Sequence, residues 1–261
     1  MTYCDSHVHI GNSERTKKIL KETTFSQKYR LYSAVNPKVV EETQDYISNI
    51  KDFFAIPIVF KETDIELENM FVRDFCTELN KGIPVELLNT NNYFLTNKKL
   101  PIFKEHFLLH NYEKWMDRSL YYEYLNEQNG YLIIHSKDRI RISYIHNLIK
   151  MFPHINIIIA HLGRDILETS SFIENVLLEF KNYDNVYFDI STIYNIDNIQ
   201  KALKLLGSKR ILYGSDFPYE FNYNDELTRI NQIRDICESE TDFEDVMDRN
   251  YEYIKRKIYQ K

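Results

Sequence analysis

Glycine and proline are scarce, 6 of each in 261 residues, and this excludes collagen-like, linker and low-complexity architectures. The 3 cysteines, Cys4, Cys76 and Cys237, are odd in number and scattered, so neither a disulfide framework nor a zinc ribbon is expected. Free thiols in a reducing compartment are the expectation. No apolar run approaches the roughly 18 residues of a membrane-spanning helix. Met1-Thr2-Tyr3-Cys4-Asp5 leads straight into a strand without a charged-then-apolar leader, so a cytoplasmic location is expected. Basic residues are also short, 33 against 39 acidic ones for a net charge of -6, and a nucleic-acid surface is not expected. The expected partner is a small-molecule substrate, and a homo-oligomer is compatible with this composition.

What the chain does have is a repeating pattern of short, β-branched apolar runs, the mark of parallel strands covered by helices. Four runs end at His135, His161, Asp189 and Asp216, spaced 26, 28 and 27 residues apart. Carried backwards, the same period gives strand ends at Glu86, Phe60, Ala34 and His9, with the second strand placed at 30–35. Eight βα units result, and 261 residues suit the roughly 250 of one (β/α)8 barrel. The fold expected is therefore α/β, a (β/α)8 TIM barrel forming a single domain over 1–261. Only the step from Glu86 to His135 is long, so an insertion is expected after strand four, at about 89–126, hanging over the catalytic face. Helices are expected at 64–80, 138–152, 165–183 and 197–206, each opened by a capping Asp, with two more between 224 and 258.

Chemistry gathers at the carboxyl ends of these runs, where a barrel builds its sites. Asp5-Ser6-His7-Val8-His9 offers two imidazoles on one face of a rigid strand, with Asp5 a layer below. Ile134-His135-Ser136, Ala160-His161-Leu162-Gly163-Arg164 and Gly214-Ser215-Asp216-Phe217-Pro218 each add a metal-ligand residue. Buried singly, such groups are costly; gathered around a divalent cation, they are compensated. His106 and His110 lack the Glu of a zinc-protease motif and read as exposed lid histidines. Tyr112 and Trp115 are candidates to cover the substrate.

Together with Val186-Tyr187-Phe188-Asp189-Ile190-Ser191, these segments resemble the amidohydrolase superfamily, in particular its amidohydrolase-related branch of metal-dependent hydrolases and decarboxylases. The resemblance implies that His7, His9, His135 and Asp216 bind a divalent metal, zinc first and manganese or another ion next, with Asp216 also moving protons. His161 is implied as general base or electrophile in a one-metal site, or as a ligand in a two-metal site. Relatives often carry a Lys on strand four, modified to a bridging carbamate where two metals bind. Glu86 stands there in the eight-strand count above, so it is expected either to bridge two ions with His135 and His161, or to pair with a cation or face the helices. One ion is favoured over two. Arg164, Lys137 and Tyr219 are candidate substrate contacts, and Asp189 and Ser191 are expected behind the ligands.

The leading function is a hydrolase using metal-activated water on a small ester, lactone or amide. A decarboxylase or hydratase of an unsaturated acid is the alternative on the same scaffold. A phosphoesterase or nuclease is a further reading, weakened because no histidine follows His161. A barrel that has lost catalysis and serves as a binding protein is the reading from another class.

Overall fold

The computed structural model describes residues 3–11, 46–59, 63–89, 100–107, 109–135, 141–164, 167–219 and 223–260. Its parallel strands are β1 (Cys4–Ile10), β2 (Asp52–Pro57), β3 (Ile83–Pro84), β4 (Glu86–Leu87), β5 (Ile102–His106), β6 (Tyr131–His135), β7 (Asn156–Ile159), β8 (Val186–Asp189) and β9 (Ile211–Leu212). β1, β2 and β3 pair in that order, as do β4 to β9. Only Val85 separates β3 from β4, and its N–H bonds Ala55 O at 2.8 Å, so the two are halves of one strand. The ring is completed beyond β9, where Ser6 N bonds Tyr213 O and Asp216 N bonds His7 O, both at 2.9 Å. Among the described residues this makes eight strands, the (β/α)8 arrangement.

The count agrees with the sequence reading, but the identity of two strands does not. β1 pairs directly with β2, and the strand expected at 30–35 lies outside the described residues. The strand bearing Glu86 is therefore the third. The fourth is β5, which lies inside the 89–126 segment expected as an insertion and pairs with β4 and β6 on either side.

Within the barrel, Phe54, Ile56, Ile83, Val85, Ile102, Tyr131, Ile133, Ile158 and Leu212 form one apolar cluster, joined by Tyr251, Ile254 and Ile258 of the final helix (Asn250–Tyr259). The alternate residues, including Phe53, Ala55, Phe103, Leu132, Ile134 and Phe188, pack with the surrounding helices in a second cluster. That is the period-two alternation of a barrel strand with both faces covered. The helix Ile65–Leu79 follows the expected signals: Asp64 accepts from Leu67 N at 3.2 Å, and Asn80 ends it in the left-handed region.

β5 carries two charges because each face meets a partner. Lys104 is level with Ile133 and points inward, whereas Glu105 points out, fully buried, to a cage of Arg118, Tyr122 and Tyr144. Arg118 Nε donates to Glu105 Oε1 at 2.6 Å, and both tyrosine hydroxyls donate to the carboxylate. Removing one member of such a pair strands the other charge in the core. Arg118→Met is expected to destabilise the fold by about 3–5 kcal/mol in urea unfolding, and a loss below about 1 kcal/mol would show that the pair is dispensable.

Candidate active site

His7 and His9 owe their direction to an irregularity in β1. Cys4 lies in the barrel-interior cluster, yet Tyr3, Val8 and Ile10 lie in the helix-facing one. The register against β2 shifts between Asp5 and Val8, and a one-residue slip exchanges the two faces of a strand. The shift turns His7 and His9 inward. Tyr3 therefore does not share their face, as simple alternation from the start of the strand requires.

Each histidine is held by one ring nitrogen so that the other faces the centre. His7 Nδ1 lies 2.8 Å from Asp189 Oδ2, His9 Nδ1 lies 2.8 Å from Pro57 O, and His161 Nδ1 lies 3.0 Å from Ser191 O. A carboxylate or carbonyl can only accept, so each Nδ1 carries the hydrogen and each Nε2 keeps its lone pair. Asp216 Oδ1 stands 3.3 Å from His9 Nε2 and 3.4 Å from His7 Nε2. The ligand atoms of His7, His161 and Asp216 all lie within 4.8 Å of one another. Such a set of lone pairs, each oriented from behind, fits a divalent ion.

Two of these residues are bent into place. His161, at φ 55°, and Asp216, at φ 63°, both occupy the left-handed region, uncommon for side chains other than glycine. They are over-determined by hydrogen bonds: His161 N donates to Asp189 Oδ1 at 2.9 Å, and Asp216 N to His7 O at 2.9 Å. Asp5 braces the same region, its Oδ1 accepting from His7 N at 2.9 Å and Ser215 N at 3.1 Å and its Oδ2 from Tyr46 OH at 2.5 Å.

Burial sets the electrostatics. It raises the Asp5 carboxyl to about 6, against the pull of these hydrogen bonds. Burial also acts to raise Asp189 and Asp216, but the histidines around them overcome it and hold both well below the usual carboxylate range. Burial lowers His9 to about 4, helped by the charge of Lys104, and lowers His161 to about 4 despite Asp216 and Asp189. His9 and His161 are thus neutral donors of lone pairs near neutral pH.

Lys104 completes the centre and was missed from sequence. Fully buried, its Nζ lies 2.7 Å from His7 Nε2 and 3.4 Å from His9 Nε2. Glu86 is not part of this set. It aligns with the outward-facing Phe103 and pairs with Arg73 Nη1 at 2.7 Å, the cation-paired, helix-facing arrangement rather than a bridge between ions. His135 sits at the edge of the centre, its ring 4.4 Å from that of His161 and 4.5 Å from that of His106. Arg164 Nη2 donates to Thr192 Oγ1 at 3.1 Å, and that hydroxyl lies 3.2 Å from His161 Nδ1, so the guanidinium stands just behind the His161 turn. The Tyr219 ring lies 4.9 Å from that of His9 and nearly perpendicular to it. Lys137 lies outside the described residues.

The lid histidines are a correction. His106 and His110 are buried, because β5 ends at His106 and His110 Nε2 bonds Leu88 O at 2.8 Å. Trp115 packs against Tyr122 and Tyr144 on the helix side of β5, not over the site. Among the described residues no helix is long and apolar enough to cross a membrane.

Comparison with solved structures agrees with the barrel. An amidohydrolase from Burkholderia multivorans with bound zinc superposes with a TM-score of 0.73 at 11% identity, covering 100% of this chain and 99% of that one. 5-Carboxyvanillate decarboxylase from Sphingomonas paucimobilis superposes at 0.69 and 11% identity, covering 98% and 99%. A probable 2-pyrone-4,6-dicarboxylic acid hydrolase from Acinetobacter baumannii with citric acid bound superposes at 0.66 and 13% identity, covering 97% and 99%. No curated protein sequence matches the chain. At such identities the superpositions establish the barrel fold. The amidohydrolase family model matches residues 101–250, more than half of the chain, from just before β5 to the start of the final helix. With that match and the eight-stranded barrel in place, the chain belongs to the amidohydrolase family.

Proposed function

We propose that this protein is a metal-dependent hydrolase acting on a small ester, lactone or amide, with a divalent ion, zinc first, held by His7, His9, His161 and Asp216 and bordered by His135. The observation that carries the reading is the convergence of three Nε2 lone pairs on Asp216, each imposed by a hydrogen bond to the opposite ring nitrogen. A divalent ion in that place supplies Lewis acidity and makes hydroxide available near neutral pH. Asp216, ionised and beside the centre, accepts the proton of the attacking water and returns it to the leaving group. His161 carries its hydrogen on Nδ1, so its inner nitrogen serves as ligand or base and not as a neutral hydrogen-bond donor to the carbonyl.

Decarboxylation on the same scaffold is the second reading, favoured by a cation beside the site. Arg164, behind His161, suits a substrate bearing a carboxylate. The likeness to 5-carboxyvanillate decarboxylase adds support at the level of fold.

Lys104 bears on the number of ions. An ammonium 2.7 Å from His7 Nε2 occupies space that a cation needs, so metal loading requires the side chain to lose its charge or withdraw. The strand-four lysine that the resemblance associates with a bridging carbamate is present here as Lys104. In that modification the neutral amine adds carbon dioxide and releases a proton, becoming an anionic ligand. Zinc titration with bicarbonate present separates the cases: one equivalent upholds the favoured single ion, whereas two equivalents that fall to one in Lys104→Met mark a two-ion carbamate site.

Two measurements test the reading. Dialysis against a chelator is expected to abolish turnover of an ester, lactone and aromatic-carboxylate panel, with zinc restoring it. Asp216→Asn is expected to lower kcat by about a hundredfold or more while the fold persists. Carbon dioxide release without hydrolysis would move the assignment to the second reading, and full activity in the metal-free protein would overturn both.

The metal-free protein also has a pH signature. Burial lowers Lys104 from 10.5 to about 8, against the attraction of Asp216 and Asp189. Between those values the unfolded chain holds the extra proton, so stability rises with pH through that window and the charged form opposes folding below it. Relative to Lys104→Met, wild-type stability is expected to rise by about 3 kcal/mol from pH 7.5 to 10.5. Urea unfolding in chelator measures this, and a difference that stays flat would mean that the ammonium is not buried as described.

A further inference from the structure

Behind the site, the helix Tyr223–Ile236 sends one buried guanidinium between the ends of the last two strands. Arg229 Nη1 donates to Ile190 O at 2.8 Å and Nη2 to Gly214 O at 2.6 Å. Its remaining donors face Glu226, whose carboxylate accepts from Nε at 3.2 Å and from Nη2, and Tyr213 OH also donates to Glu226. The Tyr213 ring lies 5.2 Å from the guanidinium carbon.

Both carbonyls belong to segments that position site residues. Ile190 stands between Asp189, which holds His7 and the His161 peptide, and Ser191, whose carbonyl and hydroxyl hold His161 Nδ1 at 3.0 and 2.8 Å. Gly214 lies two residues before Asp216, and a Cβ there would come within 3.0 Å of both His7 Cβ and Ser191 Cβ. The peptide that Arg229 holds is therefore packed directly against the backs of two site residues. Asp5 fixes the next N–H, at Ser215, and His7 O the one after, at Asp216, which sits in the left-handed region.

We infer that Arg229, oriented by Glu226, is a positioning residue that sets the geometry of the His7, His161 and Asp216 cluster by clamping the Ile190 and Gly214 carbonyls together. A planar fork is needed, since two carbonyls on different strands must be bonded at once while a carboxylate is met on a third side. An ammonium keeps the charge but not the fork. The inference concerns ring geometry in the protein itself. Its consequence for metal affinity alone rests on the function proposed above.

The test compares Arg229→Lys with Ile233→Ala, a core truncation on the same helix that touches neither carbonyl. Histidine ring nitrogen NMR of the metal-free protein reports the tautomers of His7 and His161. Wild type is expected to show both rings held with hydrogen on Nδ1. Arg229→Lys is expected to give mixed tautomers and about tenfold weaker zinc binding by chelator competition. Ile233→Ala is expected to lose thermal stability with wild-type ring signals. Glu226→Gln, which keeps the guanidinium but weakens its orientation, decides the matter where the lysine variant does not fold. Wild-type ring signals in a folded Arg229→Lys or Glu226→Gln, or equal changes in Ile233→Ala, would overturn the inference. Altered ring signals in a protein that binds no zinc would uphold it and sink the metal reading instead.

Discussion

The carboxylate of Asp189 is the joint on which the site depends. Oδ2 takes the Nδ1 hydrogen of His7, and Oδ1 accepts the peptide N–H groups of His161 and Ser191 at 2.9 and 3.1 Å. One buried group thus ties the end of β8 to β1 and to the turn that follows β7. A carboxylate without partners could not be buried there at tolerable cost, so the hydrogen bonds that keep it ionised also fix the rings it holds. Directing the Nε2 of His7 inward is a by-product of satisfying Asp189.

The barrel separates its work by height. Below, aliphatic and aromatic side chains fill the interior down to Tyr251 and Ile254 of the final helix. Above, the inward positions pass to Lys104, His7, His9, His161 and Asp216, whose lone pairs and charges would be orphaned in that lower layer. The transition falls where strand geometry gives way, at the register shift in β1 and the left-handed residues after β7 and β9. Regular ladders point alternate residues into a core. Departures from them aim imidazoles at a common point.

These departures explain what sequence could reveal. His7, His9, His161 and Asp216 were legible because each follows an apolar run, and the run marks the strand. Asp189 and Ser191 were legible behind the ligands for the same reason. β5 was not, because Ile102-Phe103-Lys104-Glu105-His106 carries charges on both faces, one turned to the centre and one to Arg118. A strand whose charges are all satisfied by distant residues looks like a loop until those partners are known. Glu86 was misplaced as a consequence, since moving it from strand four to strand three also changes what stands level with it. The Arg229 clamp spans 39 and 15 residues to its two carbonyls and leaves no local pattern at all.

Charge balance connects the missed lysine to the site residues that were legible. With His9 and His161 neutral, the buried mouth sets the anions of Asp189 and Asp216 against the positive charge of Lys104. Adding a divalent ion while Lys104 keeps its proton leaves an excess positive charge in a place with little water to screen it. If the lysine loses its charge, two carboxylates and one divalent ion balance. Lys104 is then the occupant that makes the metal-free mouth tolerable, and its proton is the one that metal binding displaces. On this argument the strand that sequence did not reveal sets the terms on which the rest of the site takes up its ion.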